Sequence, residues 1–414
     1  RTSDILTRYE TIDGPKYVWT TFSSDQIDFN FRNPQVLLAV LEALLFYVRR
    51  GADIIRLDAV TYLWAEPGTE SIHLPQTHAI IKLLRDVLMT VAPGVALVTE
   101  TNVPHEQNIS YFGEGDDEAH MVYNFALPPL VLHTFYSGDT TAISEWAAGL
   151  DLPSDQTYLF NMLDTHDGVG VQGVKGILTR GQIDAMIAVA GERGAYISYK
   201  SSKEGEEPYE INTTWWSAIN QDGSDEPIAY QVKRYVASRS IALVLKGVPG
   251  IYTHGAIALP NDHKLVEQTG VKRDVNRGVI DTEIFREHLR QPGSKRSLLR
   301  LEQREISRMR TRSRAFHPRG EMRVLQPSSQ LFSVLRISPE GDRHVLALTN
   351  VTGEVVSVEI PLEQLAVDDR AWYDLIRGEH LNAVGEVLPV ELGPYDVLWL
   401  TPMRERREDR RQGR

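Results

Sequence analysis

The sequence predicts an α/β fold, with parallel strands and helices packed outside them, followed by a small all-β domain. Three observations predict it. Over residues 33–255, short apolar or β-branched runs alternate with helical patterns, as βα units do. Three of the runs stop at or near a carboxylate: "IIRLDAV" at Asp58, "LVTE" at Glu100 and "NMLDTHDG" just before Asp167. After "SLLRLEQREISRMRTRSRAF" (297–316) the pattern changes to short strands separated by Gly, Pro and Asn.

Each element has its own signal. "NPQVLLAVLEALLFYVRRG" (33–51) spaces apolar residues as a helix does, with an Asn–Pro start and a Gly stop. "ADIIRLDAV" (52–60) follows as a buried strand, "PQTHAIIKLLRDVLMTVAPG" (75–94) as an amphipathic helix and "VALVTE" (95–100) as a strand. "AHMVYNFAL" (119–127) and "TYLFNML" (157–163) read as strands, with "LPPLVLHTFY" (127–136) helical between them. Residues 225–255 supply one more helix and strand. "QLFSVLRIS", "RHVLALTNVT", "EVVSVEIPL" and "YDVLWLT" make the β domain, over about 320–402, and "RERREDRRQGR" lacks apolar periodicity and reads as a disordered charged tail.

Composition narrows the function. Apolar content of 42 % and charged content of 24 % are those of a globular protein. A net charge of −12 argues against nucleic acid or an anionic membrane as partner. No apolar run has the length of a membrane span. With no cysteine there is no disulfide or thiol chemistry, which fits a cytoplasmic location. The 12 histidines are scattered, with none at HExxH spacing, and suggest no metal site.

A lone glutamate at a strand end is usually just solvated. Three carboxylates from three βα units are different, because a parallel barrel gathers the carboxyl ends of its strands at one face. A nucleophilic carboxylate and a protonated carboxyl, roughly 5 Å apart, break a glycosidic bond with retention. Arg56, two residues before Asp58, shares its strand face and would keep it ionised. Glu100 follows an apolar strand with only His105 as a nearby base in sequence, which suits a raised pKa and an acid/base role.

With "RLDAV", "TET" and "LDTHDG" in this order, the chain resembles the α-amylase superfamily. "VWTTFSSDQIDFN", "YNFALPPLVLHTF", "LDTHDGVG", "GVPGIY" and "RDVNR" resemble its sucrose phosphorylase branch, from about residue 15 to 400. The resemblance implies a partial (β/α)8 TIM barrel, entered at about its fourth strand. Domains then follow as 1–318 for the barrel lacking its first strands, 319–403 for a β-sandwich and 404–414 for the tail. It implies Asp58 as nucleophile, Glu100 as acid/base and Asp167 as transition-state stabiliser. Arg56 would orient Asp58, while His166 and Arg277 would contact the glucose. Phe22 and Gln26 would line the glucosyl subsite, and Tyr62 would sit beside the nucleophile. Phe22 and Tyr62 also fit ordinary packing, and Asp164 competes with Asp167, the His–Asp pairing favouring the latter.

The implied reaction is phosphorolysis of a small α-glucoside to α-glucose 1-phosphate, with inorganic phosphate as co-substrate and no bound cofactor. No Gly-rich phosphate cradle is visible. Residues 194–220 should form the acceptor loop. There Glu210, in "EPYE", stands where sucrose-using members carry glutamine, and "PYE" followed by Ile and Asn resembles glucosylglycerate and glucosylglycerol phosphorylases. Lys200, Lys203 or an arginine would have to offset the added carboxylates. Sucrose phosphorolysis, an α-glucosidase or transglucosidase, and a non-catalytic scaffold are the alternatives, the scaffold disfavoured by the retained acidic trio. The barrel's first strands are expected to lie outside this chain, leaving unpaired edges and a fragment of little activity.

Overall fold

The computed structural model describes residues 5–202 and 205–411. Its contacts divide into two compact units. One runs to Phe125 and takes in Leu152–Phe160 and Ser198–Glu210; the other holds Ala126–Asp151, Asn161–Ile197 and Ile211–Arg414.

The first unit opens with an antiparallel hairpin, Leu6–Thr11 against Gly14–Trp19, which the apolar pattern does not announce. The helix Pro34–Arg49 begins where Asn33 accepts the Gln35 N–H, with proline in its first turn, satisfying a donor that a helix start leaves unpaired. Strands Ile54–Leu57, Ala96–Thr99 and Met121–Tyr123 then pair in parallel, and Met121–Tyr123 pairs onward with Tyr158–Phe160. Leu44, Ile80, Leu84, Leu88 and Leu97 form the core between the helices Pro34–Arg49 and Pro75–Val91 and the sheet. The outer strand leaves Ile54 54 % exposed, and the helix Pro34–Arg49 leaves Phe46 49 % and Tyr47 58 % exposed.

The second unit is built around the helix Ile228–Val244, most of whose residues are buried. The helices Leu127–Ser137, Arg180–Glu192 and Lys295–Arg312 contribute to the same core. Arg180–Glu192 starts on a capping box between Thr179 and Gln182.

The C-terminal strands form two antiparallel sheets. Six pair in the order Glu321–Leu325, Leu331–Ile337, His344–Asn350, Val397–Pro402, Ala371–Asp374, His380–Asn382; Val356–Pro361 pairs with Val387–Leu392. Leu331–Ile337 is buried along its whole length because it serves two cores. Phe332 and Val334 face the helices, while Leu331, Leu335 and Ile337 face the second sheet's cluster with Leu388 and Val390, the alternation a strand imposes. Helix and β-strand residues contribute to one core within this unit.

Two expectations need correction. The tail is not disordered over its described part but forms the helix Met403–Arg411. Glu405, 2 % exposed, accepts the His344 backbone N–H and pairs with its ring Nδ1, both at 2.8 Å. Polar contacts dock this helix, so apolar periodicity could not reveal it; residues 412–414 lie outside the described residues. Residues 194–220 are not a loop. They form the strands Tyr196–Ser202 and Gly205–Asn212 and the short helix Trp215–Ile219. Tyr196, Ile197 and Tyr199 in the first and Tyr209 and Ile211 in the second favour strand over loop. Among the described residues, no helix is long and apolar enough to cross a membrane.

Candidate active site

In the first unit, Asp58 and Glu100 are each the residue directly after a strand, Ile54–Leu57 and Ala96–Thr99. Those strands pair in parallel with Leu57 opposite Thr99, and the Glu100 N–H extends the ladder to the Leu57 carbonyl at 3.0 Å. The register thus sets the two carboxylates side by side. One guanidinium nitrogen serves both: Arg56 Nη2 lies 2.8 Å from Asp58 Oδ1 and 3.9 Å from Glu100 Oε2. The two oxygens are no farther apart than the sum of those distances, which accommodates the roughly 5 Å spacing of a retaining pair.

The surroundings are polarised. Asp58 is 70 % exposed at its side chain and Glu100 15 %, so the first carboxylate is open and the second sheltered. Glu100 Oε2 also accepts the Ala59 N–H at 3.1 Å. Ala59 adopts a left-handed conformation, φ 48° and ψ 39°, uncommon for a residue with a Cβ, and that twist belongs to the turn whose N–H meets Glu100. Burial pulls the Arg56 guanidinium down, but Asp58, Tyr123 and Glu100 outweigh it and hold it above its ordinary value. Burial also pushes the Tyr123 phenol up, against the pull of Arg56. His105 is the only base near Glu100 in sequence, but in space Arg56 reaches it from the adjacent strand.

Tyr62 follows on the 3-10 turn Val60–Tyr62, and its ring meets Phe22 edge-on, centroids 5.2 Å apart. Phe22 is 46 % exposed, so it is not a core residue. Gln26 closes a tight turn, its N–H donating to the Ser23 carbonyl at 3.0 Å while Ser23 Oγ donates to its Oε1 at 2.8 Å. Glu210 is buried, 2 % exposed, in the strand Gly205–Asn212. Lys200 pairs with Glu207 at 3.1 Å; Lys203 lies outside the described residues.

In the second unit the two aspartates of "LDTHD" separate. Asp164 receives a bidentate hydrogen bond from Arg239, 2.9 and 2.6 Å, inside the core, and Arg239 Nη2 also donates to the Tyr235 hydroxyl at 2.7 Å. The space is closed by Gly255, where an added Cβ would fall 2.0 Å from Asp164 Oδ2. Asp164 is structural. Asp167 is 23 % exposed and ringed by nitrogen groups: Arg273 Nη1 at 2.8 Å and Arg277 Nη2 at 3.3 Å on Oδ1, His166 Nε2 at 3.6 Å from Oδ2. The 3-10 turn Lys272–Asn276 holds this loop, since Asn276 Nδ2 donates to the Asp167 carbonyl at 2.8 Å and Arg277 Nε to the His166 carbonyl at 2.8 Å.

Sequence reading missed Arg273 and Tyr123. Arg273 precedes Arg277 by four positions in "RDVNR", a spacing that sets two side chains together on a helical turn and could have flagged it. Tyr123 carries no local signal. Among the described residues, no group of three or more carboxylate or imidazole side chains is arranged to hold a metal ion.

Comparison with known proteins places the chain in a family. Residues 10–164 match the alpha amylase catalytic domain and residues 322–399 the maltogenic amylase C-terminal domain. A glucosylglycerate phosphorylase from Spirochaeta thermophila is 44 % identical over 98 % of this chain and 70 % of its own length. One from Escherichia coli K12 is 37 % identical over 97 % and 69 %. A solved structure of sucrose 6F-phosphate phosphorylase from Thermoanaerobacter thermosaccharolyticum superposes with a TM-score of 0.72 at 22 % identity, covering 95 % of this chain and 72 % of that one, which bears on the fold alone. The chain is a glucoside phosphorylase of the α-amylase superfamily and belongs to the glucosylglycerate phosphorylase family.

Proposed function

We propose that the chain phosphorolyses α-glucosylglycerate with net retention, through a covalent β-glucosyl ester on Asp58. Asp58 attacks the anomeric carbon while Glu100 gives its proton to the glycosidic oxygen, and glycerate leaves. A phosphate oxygen then attacks the same carbon, the bond to Asp58 breaks, and Glu100 takes up the phosphate proton. The products are α-glucose 1-phosphate and glycerate. The observation that carries this reading is Arg56 Nη2 shared between Asp58 and Glu100 at 2.8 and 3.9 Å. It holds the pair at bond-breaking range.

Asp167 binds sugar hydroxyls and strengthens its hold as positive charge grows on the ring; His166 and Arg277 assist. Phe22 and Tyr62 supply an apolar wall for the glucosyl ring, with Gln26 beside it. Glycerate as leaving group is supported by relatives of that name at 37–44 % identity, against 27–28 % for the sucrose phosphorylases and 27 % for the glucosylglycerol phosphorylase. Phosphate is a second substrate, not a resident cofactor, and the absence of cysteine suits the cytoplasm.

The test supplies phosphate with glucosylglycerate, glucosylglycerol or sucrose and measures glucose 1-phosphate, with Asp58→Asn as control. Product from glucosylglycerate alone, lost in the control, is expected. Free glucose released at a rate indifferent to phosphate would sink the proposal.

A further inference from the structure

Glu100 stands one residue past the end of its strand, so whatever anchors it there decides where its carboxyl points. On one side its N–H donates to the Leu57 carbonyl at 3.0 Å. On the other side the strand pairing runs from Val98 opposite Met121 to Thr99 opposite Val122 and ends. Carried one step further, that register sets Glu100 beside Tyr123. The chain then leaves the sheet at Thr101 and turns into the short helix His105–Ile109.

A side chain from that helix returns across the gap. Asn108 is 1 % exposed; its Oδ1 accepts the Thr101 hydroxyl, and its Nδ2 donates to the Tyr123 carbonyl at 2.7 Å. The amide is fixed in this orientation, because a carbonyl only accepts and needs the NH2 group facing it. Thr101, 2 % exposed, follows Glu100 directly in the chain. The bridge therefore ties the Glu100 main chain to the end of the next strand. Tyr123 is the firmer end of it. It pairs in parallel with Phe160, and its ring lies 5.5 Å from the Arg56 guanidinium carbon. Breaking the bridge frees the Thr101 side first, and with it Glu100, while Arg56 and Asp58 keep their 2.8 Å contact.

We propose that Asn108 is the positioning residue of Glu100, holding its carboxyl in line with the glycosidic oxygen through Thr101. This deepens the phosphorolysis reading and rests on its assignment of Glu100 as the acid. Asn108 then acts on proton transfer to the leaving group and not on attack by Asp58.

The test compares kcat/KM for glucosylglycerate with kcat/KM for α-glucosyl fluoride, whose leaving group departs without a proton. Asn108→Ala and Thr101→Val are expected to lower the first on the order of tenfold to a hundredfold, since a small misplacement of an acid costs that much. The second should stay within about twofold, which also reports that the variants are folded. Thr101→Ser keeps the hydroxyl and should recover most of the loss, which a role in packing alone would not produce. Glu100→Gln sets the reference, its loss on glucosylglycerate exceeding its loss on the fluoride. Should Glu100→Gln lose both donors alike, the acid assignment fails and the proposal with it. Should Glu100→Gln show the difference while Thr101→Val and Asn108→Ala lose both donors alike, or neither, the proposal alone is overturned. If the unaltered protein cleaves sucrose or glucosylglycerol in place of glucosylglycerate, the donor reading fails, and the same ratio taken with that donor still decides Asn108.

Discussion

Replacing Arg239 by methionine separates the two aspartates of the 164–167 loop by experiment. The Arg239 and Asp164 side chains are 5 % and 7 % exposed, and their bidentate contact at 2.9 and 2.6 Å is closed over by the Tyr235 hydroxyl and Gly255. Removing one partner strands a buried charge, a loss of about 3–5 kcal/mol. Against a total stability of roughly 5–15 kcal/mol for a domain, that is a large fraction. At about 2–4 °C per kcal/mol, the melting temperature should fall on the order of 10 °C. Circular dichroism melts and urea titrations read it. The double variant Asp164→Leu/Arg239→Met should regain most of the loss, because apolar side chains can replace a buried pair at little cost. Asp167→Asn, at an exposed edge, should leave the melt within a few degrees and abolish glucose 1-phosphate formation. An Arg239→Met loss below about 1 kcal/mol, or a double variant as unstable as the two singles added together, would refute the reasoning about a buried pair.

Two other outcomes follow from the same physics. Burial, reinforced by Arg85, pushes the His120 imidazole down to about 4 from 6.5, and its Nδ1 accepts the Leu97 N–H at 3.0 Å. The unfolded chain then binds a proton that the folded one refuses, so stability is full above pH 6.5 and drains away as pH falls toward 4. His120→Asn keeps an acceptor and should flatten melting temperature against pH across that window; an unchanged slope would count against His120 as its source. Glu405→Ala should cost about 3 kcal/mol in urea unfolding, since it leaves two buried His344 groups without their acceptor. A loss below about half a kcal/mol would mean that the tail helix docks by other contacts.

Much of the site was legible because its signals are local. Asp58 and Glu100 each end a run of β-formers, and a strand end is written in consecutive residues. The period-two relation of Arg56 to Asp58 is also local, and it appears as the 2.8 Å pair. Residues separated by dozens of positions left no such trace. The choice between Asp164 and Asp167 depended on Arg239, 75 residues from Asp164, and on arginines about 110 positions from Asp167. The hairpin Leu6–Thr11 with Gly14–Trp19 mixes charged and apolar residues without clean alternation, and its strands are mostly exposed.

By itself the sequence determined the main helices and strands over residues 33–163, which of those strands end in carboxylates, and that cysteine chemistry is absent. Periodicity and turn residues encode backbone conformation within a few positions, and composition needs no fold at all. Tertiary structure decided the partners. The parallel register brought Arg56 to Glu100, the core absorbed Asp164, the turn Lys272–Asn276 set Arg273 on Asp167, and the buried His344 captured a tail helix with no apolar face. Such pairings depend on register and packing between distant segments, because a charge takes its function from the neighbours that desolvate or match it.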